Sequence, residues 1–298
     1  MSDGLERIHI PVLAAEVLQY LQPHAGGLYV DGTLGLGGHT ESILQAGEPD
    51  NRVVAFEWDE NAITLAEKRL QRFGNRITIV RRNFAELAEG LDELGVDEID
   101  GLLIDIGLSS LQLEQGGRGF SFLQDEPLDM RMDTRRRMTA AKLVANCREE
   151  ELADIIYYYG EEKQARRIAA EIVSSRKKEP IATSKQLASV VARAIPRRFH
   201  PKKIHVATKT FQGLRIAVNT ELENLSSIIN AAVGFLKPGA RFCIITFHSL
   251  EDRIVKRKFR EHDHFKVITP KPVTASPEEV RENPRSRSAK LRVAVRKD

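Results

Sequence analysis

A chain of 298 residues, 42% of them apolar, can bury a substantial core, which excludes a disordered protein. Its 45 Lys and Arg against 42 Asp and Glu leave a formal charge of only +3, so the distribution of charge says more about partners than its sum. The two cysteines, Cys147 and Cys243, stand far apart without CxxC spacing, and no apolar run approaches the roughly 18 residues of a membrane span; a disulfide framework, a zinc site and a membrane protein are excluded, and a cytoplasmic protein is expected.

Between residues 28 and 106, "LYVDG", "RVVAFEWD", "RITIVRRNF" and "IDGLLIDIG" read as short strands, separated by helical runs such as "HTESILQAG" and "ENAITLAEKRLQRFG". Strands alternating with helices of ten or so residues predict βαβ units and a parallel sheet. After residue 111, "LEQGGRGFSFLQDEPLDMRMD" reads as a long structured loop, and from about 139 to 195 apolar positions recur at three- and four-residue spacing with no strand. Thr139 and Ser184 stand at N-cap positions in this helical insert. Alternation then resumes with a helix in "NTELENLSSIINAAVGFLKPG", a buried fifth strand in "ARFCIITFHS" and a basic helix in "LEDRIVKRKFRE". The runs "HFKVITPK" and "AKLRVAVRK" predict a terminal antiparallel hairpin, joined by a mobile loop in "PVTASPEEVRENPRSRS". The expected organisation is a sheet domain of residues 1–112 and 209–298 around a mostly helical domain of residues 113–208.

Four candidate motifs carry chemistry. In "VDGTLGLGGHT" the glycines lie between a strand and a helix, where open α/β sheets approach nucleotide ligands, yet their GxxGxGG spacing is neither GxGxxG nor a Walker A loop. A tight turn without a ligand is the alternative. Glu57 ends the second strand, 22 residues after Gly35, where a ribose-binding carboxylate belongs; Asp59 competes for the role, and either could be an acid at a helix N-terminus. Asp105 ends an otherwise apolar strand, so its burial demands a specific partner, a ligand or backbone N–H groups. His248 follows the fifth strand and could orient a substrate or pass a proton, while Ser249 and Asp252 read as a capping box for the next helix. His262 and His264 have the spacing of a metal pair but no acid or Cys cluster beside them, and read as a solvated edge. Basic residues gather in Arg131 and Arg135–Arg137, and in Arg197, Arg198, Lys202, Lys203, Lys209 and Arg215, interleaved with Phe199, His200, His205 and Phe211. That mixture suits single-stranded RNA, with a solvated charged face as the alternative.

With "HIPVL", "YVDGTLGLGGHT", "LLIDIGLSS", "RGFSF", "PLDMRMD", "YGEEKQARRIA", "TKTFQGLRIAVN", "FHSLEDRIVKR" and "NPRSRSAKLR" in order along almost the entire chain, the sequence resembles the RsmH (MraW) family, AdoMet-dependent methyltransferases acting on cytosine N4 in the decoding region of 16S rRNA. The resemblance implies an α/β fold of class I methyltransferase, Rossmann-like type, with the terminal antiparallel hairpin and the inserted helical domain. It implies S-adenosyl-L-methionine as cofactor, no metal, and contacts from Gly37, Gly38, His39, Glu57, Phe84, Asp105 and Gln112. Glu57 stands where the family often has Asp, which keeps the carboxylate and lengthens it by a methylene.

Asp105 is also the candidate catalytic residue, as an acceptor for the amine proton. Because a target base must leave its stack, Phe120 and Phe122 are candidate platforms, His248 a candidate substrate contact, and Arg118, Lys209, Arg215 and Arg253 candidate phosphate contacts. The expected partner is 16S rRNA in a small ribosomal subunit or an assembly intermediate, with homodimerisation left open. An NAD-dependent oxidoreductase would account for the glycine turn and Glu57 only, and a non-catalytic RNA-binding protein for the basic segments only.

Overall fold

The computed structural model describes residues 10–107 and 117–298. Contacts divide the chain into one unit of Met1–Ser109 with Leu222–Asp298 and another of Ser110–Glu221. The first is a seven-stranded sheet in the order β3-β2-β1-β4-β5-β7-β6, with β1 Leu28–Asp31, β2 Arg52–Phe56, β3 Ile77–Val80, β4 Ile99–Asp105, β5 Leu236–Thr246, β6 Phe265–Val267 and β7 Lys290–Arg296. Strands β1 to β5 pair in parallel, whereas β7 runs antiparallel between β5 and β6, as the terminal hairpin predicts.

Successive strand residues face opposite sides, and both sides are apolar because helices cover each. Val30, Phe56, Leu102, Ile104, Phe242 and Ile244 pack with Leu87 and Leu91 of α4 (Leu87–Glu93), Ile228 of α10 (Glu221–Ala231) and Phe259 of α11 (Ser249–Glu261). Their neighbours Tyr29, Ala55, Leu103, Cys243 and Ile245 pack with Val17 and Leu21 of α1 (Ala14–Leu21), Ile43 of α2 (Gly38–Ala46) and Leu70 of α3 (Glu60–Leu70).

The linker before β7 is ordered rather than a mobile loop. Ser276 caps the short helix α12 (Pro277–Glu282), accepting the Glu279 N–H, with Pro277 at a first-turn position that needs no N–H. A 3-10 turn over Pro284–Ser288 follows, with Ser286 buried.

The second unit is helical, with α5 Ala140–Asn146, α6 Glu149–Asp154, a π-turn at Ile155–Tyr159, α7 Ala165–Arg176, α8 Ser184–Ala194 and α9 Thr208–Asn219. Thr139 caps α5 as expected. The α8 cap is Thr183 rather than Ser184, in a capping box with Gln186, and the Ser184 hydroxyl donates to the Gln124 carbonyl instead. Helix α9 packs in this unit, so the sheet unit resumes at Leu222 instead of at 209. The physical reason is at its middle and at its C-terminal end. A Cβ on Gly213 would stand 3.0 Å from the Ile155 carbonyl oxygen, so a bare backbone lets α9 lie on the π-turn. At its C-terminal end Asn219, fully buried, donates to the Met130 carbonyl (2.8 Å) and accepts from Met132 N–H (2.9 Å).

Met130 has φ +59°, a conformation that L side chains adopt at a cost, so these bonds hold a strained turn in place. Asn219→Ala orphans the Met130 and Met132 backbone groups, and we expect a loss of about 2–3 kcal/mol, read as a lowered urea midpoint.

Candidate active site

In the order β3-β2-β1-β4-β5 the chain winds outward in both directions from between β1 and β4, and the crevice at their C-terminal ends is where such sheets bind ligands. Four acids are placed there by the strand ends: Asp31 closes β1, Glu57 follows β2, Asp105 closes β4, and Glu251 lies in the first turn of α11 after β5. The glycine turn between β1 and α2 runs along the same edge. A Cβ on Gly32 would stand 2.2 Å from Ile104 Cδ1 and 3.0 Å from Phe84 Cβ, so glycine lets both side chains pack against the turn where it leaves β1. Gly37 has φ +81° as the N-cap of α2, a left-handed position that glycine adopts without steric cost.

The acids are held differently. Asp31 is fully buried and accepts from Thr33 N–H (3.0 Å) and Thr40 Oγ1 (2.7 Å); burial raises its pKa and these bonds oppose the rise. Thr33 Oγ1 in turn accepts the Asp105 N–H at 2.6 Å, tying the glycine turn to the end of β4. Glu57 accepts N–H bonds from Gly35, Trp58 and Asp59, each at 2.9 Å, and burial still pushes it up to about 7. Its competitor Asp59 is a cap, accepting from Asn61 N–H at the start of α3.

Asp105 keeps 23% of its side-chain surface exposed, with Oδ2 3.7 Å from His39 Nε2. Its Oδ1 is buried without a hydrogen-bond partner among the described residues. Desolvation, then the negative charges of Asp31 and Glu251, push Asp105 up to about 7.

The start of α11 differs from the expected Ser249–Asp252 box. The N-cap is His248, whose Nδ1 accepts the Glu251 N–H (3.4 Å), while Glu251 accepts from the Phe247 and His248 N–H groups (2.8 and 3.2 Å). His248 Nε2 lies 2.9 Å from Glu251 Oε1, so the imidazole faces the acid with both nitrogens. Asp252 serves β7 instead, taking Arg292 at 2.5 Å and Lys290 at 3.4 Å. Phe84 is half-buried at the first position of a 3-10 turn after β3 and packs at the margin of the core under the sheet. Gly38 and His39 are buried in the first turn of α2. Gln112 lies outside the described residues. Arg253 is exposed on α11. His262 and His264 stack with ring centroids 5.7 Å apart, and no group of three metal-ligating side chains occurs among the described residues.

Several residues expected to meet substrate instead brace the helical unit. Arg118 donates to the carbonyls of Arg131 and Met132 and lies over Phe120, itself only 7% exposed and so no open stacking surface. The Phe122 ring is engaged by His205 (4.5 Å) and Phe211 (5.0 Å). Lys209 Nζ donates to the Glu161 carbonyl (2.8 Å), and Arg215 forms a two-pronged pair with Glu221 (2.8 and 2.7 Å) that offsets its charge.

The sequence reading missed Asp31, Thr33, Thr40 and Glu251. The signal for Asp31 is the one that marks Asp105, an acid ending an apolar strand; Glu251 carries no such signal, because its role depends on the cap being at His248.

No Lys or Arg pairs with Asp31, Glu57, Asp105 or Glu251 among the described residues. Such a crevice attracts a cationic group and repels a diphosphate. Residues 6–297 match the model of the MraW methylase family. The chain is 68% identical to "Ribosomal RNA small subunit methyltransferase H" of Desulfotalea psychrophila, over 97% of this chain and 98% of that one, and 52% identical to the protein of the same name from Geotalea uraniireducens, over 96% and 97%. Among solved structures it is similar to Aeropyrum pernix fibrillarin with natively bound S-adenosyl-L-methionine, at 12% identity and a TM-score of 0.43, over 94% of this chain and 71% of that one. A match spanning nearly every residue, on a parallel sheet whose switch point carries acids without a Lys or Arg partner among the described residues and a bare glycine turn, has one conclusion: this chain belongs to the MraW methylase family.

Proposed function

We propose that this chain transfers a methyl group from S-adenosyl-L-methionine to the exocyclic N4 of a cytidine in the decoding region of 16S rRNA, in the cytoplasm and on a small subunit or an assembly intermediate. The observation that carries the donor is the buried Asp105 Oδ1, without a hydrogen-bond partner, in a crevice whose acids have no Lys or Arg partner among the described residues, which suits the ammonium and sulfonium of this cofactor. The relatives' shared name supports small-subunit rRNA as the acceptor, and the resemblance supports N4 and the decoding region. An NAD-dependent reading places two phosphates against uncompensated acids, and a non-catalytic RNA-binding reading leaves Asp105 without purpose.

The cofactor fits the residues present. When bound it supplies an electrophilic methyl group on a positively charged sulfur. Asp105 would take its ammonium, Glu57 its ribose through the one lone pair that three backbone bonds leave on Oε2, and Phe84 would border the base. Gly37, Gly38 and His39 would offer close backbone at the turn, and Gln112 completes the set that the resemblance implies. Transfer to an amine needs alignment more than a covalent intermediate, so positioning and electrostatics dominate. In place of holding the ammonium, the Asp105 carboxyl, pushed up to about 7, would accept the amine proton, which keeps it as the catalytic candidate. His248 and Arg253, after β5, would face the acceptor side.

RNA affinity is assigned to a different part of the insert than Arg118 and Arg215. Between residues 180 and 220 the chain carries eight Lys and Arg and no Asp or Glu. Arg197, Arg198, Lys202 and Lys203 are exposed and form no ion pair among the described residues. Arg198 stacks over Phe199, 47% exposed, at 4.8 Å, a mixed cationic and aromatic surface suited to single-stranded RNA.

Four outcomes test the reading. Mass spectrometry after incubation of small subunits with labelled cofactor should place the label on N4-methylcytidine; label on a cytosine carbon or on protein contradicts it. Because Asp105 is neutral below and charged above about pH 7, calorimetric cofactor affinity should rise about tenfold between pH 6 and 8, and Asp105→Asn should flatten that rise to the share left by Glu57. With its pKa raised from 3.8, the Asp105 contribution to ligand-free stability is fully present below 3.8 and lost as pH rises through about 7, so Asp105→Asn should raise the melting temperature more at pH 8 than at pH 5. Replacing Arg197, Arg198, Lys202 and Lys203 with Ala should weaken RNA binding and lower its salt slope by about 3, with cofactor affinity unchanged.

A further inference from the structure

The C-terminal end of the glycine turn is covered at Gly38 by Pro11. A Cβ on Gly38 would stand 3.2 Å from Pro11 Cδ, so the Pro11 ring lies directly on the first residue of α2, between Gly37 and His39. Two residues further on, Leu13 is the N-cap of α1 with φ +55°, a left-handed conformation that an apolar L residue adopts only when its surroundings impose it.

What imposes it comes from the other end of the chain. Leu13 N–H donates to Glu279 Oε1 at 2.7 Å, across 266 residues. Asn283 Nδ2 donates to the Ile10 carbonyl at 3.0 Å. Glu16 stands at the third position of α1, where a capping-box acid would take the Leu13 N–H, yet that N–H goes to Glu279. The side chains of α12 thus grip the backbone on both sides of Pro11. They are themselves set by the Ser276 cap and by Ser286 Oγ donating to the Asn283 carbonyl (2.8 Å).

Resting on the donor assignment above, we infer that Glu279 and Asn283 are positioning residues for cofactor binding: they clamp residues 10–13 onto Gly38 and so hold the Gly37–His39 turn in the shape that receives the methyl donor. Neither touches the reacting atoms. Their contribution is to affinity, through a turn that does not have to be ordered when the donor arrives.

The test uses the full chain, with S-adenosyl-L-methionine as the probe in calorimetry and amide hydrogen exchange of residues 37–40 in ligand-free protein. The double variant Glu279→Ala, Asn283→Ala should bind the probe about tenfold more weakly, with faster exchange at the turn and kcat at saturating donor within about twofold of native. Glu279→Gln keeps an oxygen acceptor for Leu13 N–H and should bind within about twofold of native. A double variant that melts earlier but binds the probe as the native chain does overturns the inference and leaves the contacts stabilising only. A native chain that binds no S-adenosyl-L-methionine overturns the donor assignment and this inference together.

Discussion

A carboxylate taken out of water must find a partner or a proton, and the candidate site is arranged around that requirement. Asp31 and Glu57 meet it with backbone and hydroxyl donors from the glycine turn itself. Their charges therefore shape the turn while staying within the protein. Asp105 meets it only in part, with Oδ2 3.7 Å from His39 Nε2 and Oδ1 left over. The oxygen left over is the feature on which the proposal of a cationic methyl donor rests. The glycines serve this arrangement, since a side chain on Gly32 would displace Ile104 and press on Phe84.

The helical unit handles charge in the opposite way. Arg118, Arg131, Arg135, Lys209 and Arg215 are spent on carbonyls and acids within the unit, where each satisfies loops that lack secondary structure of their own. Motif arginines here are struts. Arg197, Arg198, Lys202 and Lys203 are exposed without acid partners among the described residues and lie close together in the chain, which is why the proposal places an anionic polymer there by position rather than by net charge.

The two chain ends meet at the same turn. The residues 10–13 and the helix after Ser276 are joined by hydrogen bonds across more than 260 positions, and they close over Gly38. A Pro-rich stretch becomes ordered because Ser276 and Pro277 start a helix and because the N-terminal backbone offers it partners.

The sequence by itself determined the parallel sheet, the terminal hairpin, the insert and the crevice acids Glu57 and Asp105, because apolar periodicity and an acid ending an apolar strand are local signals that burial imposes directly. Thr139 as a cap was equally local. Tertiary structure decided the rest. Whether α11 starts at His248 or Ser249 depends on which side chain Glu251 reaches, and that depends on where β5 ends. Whether Arg215 is a phosphate ligand or a strut depends on Glu221, six positions away across a left-handed Thr220. The grip of Glu279 on Leu13 has no sequence signal at all, because a hydrogen bond between the ends of a chain exists only once the sheet has brought those ends together.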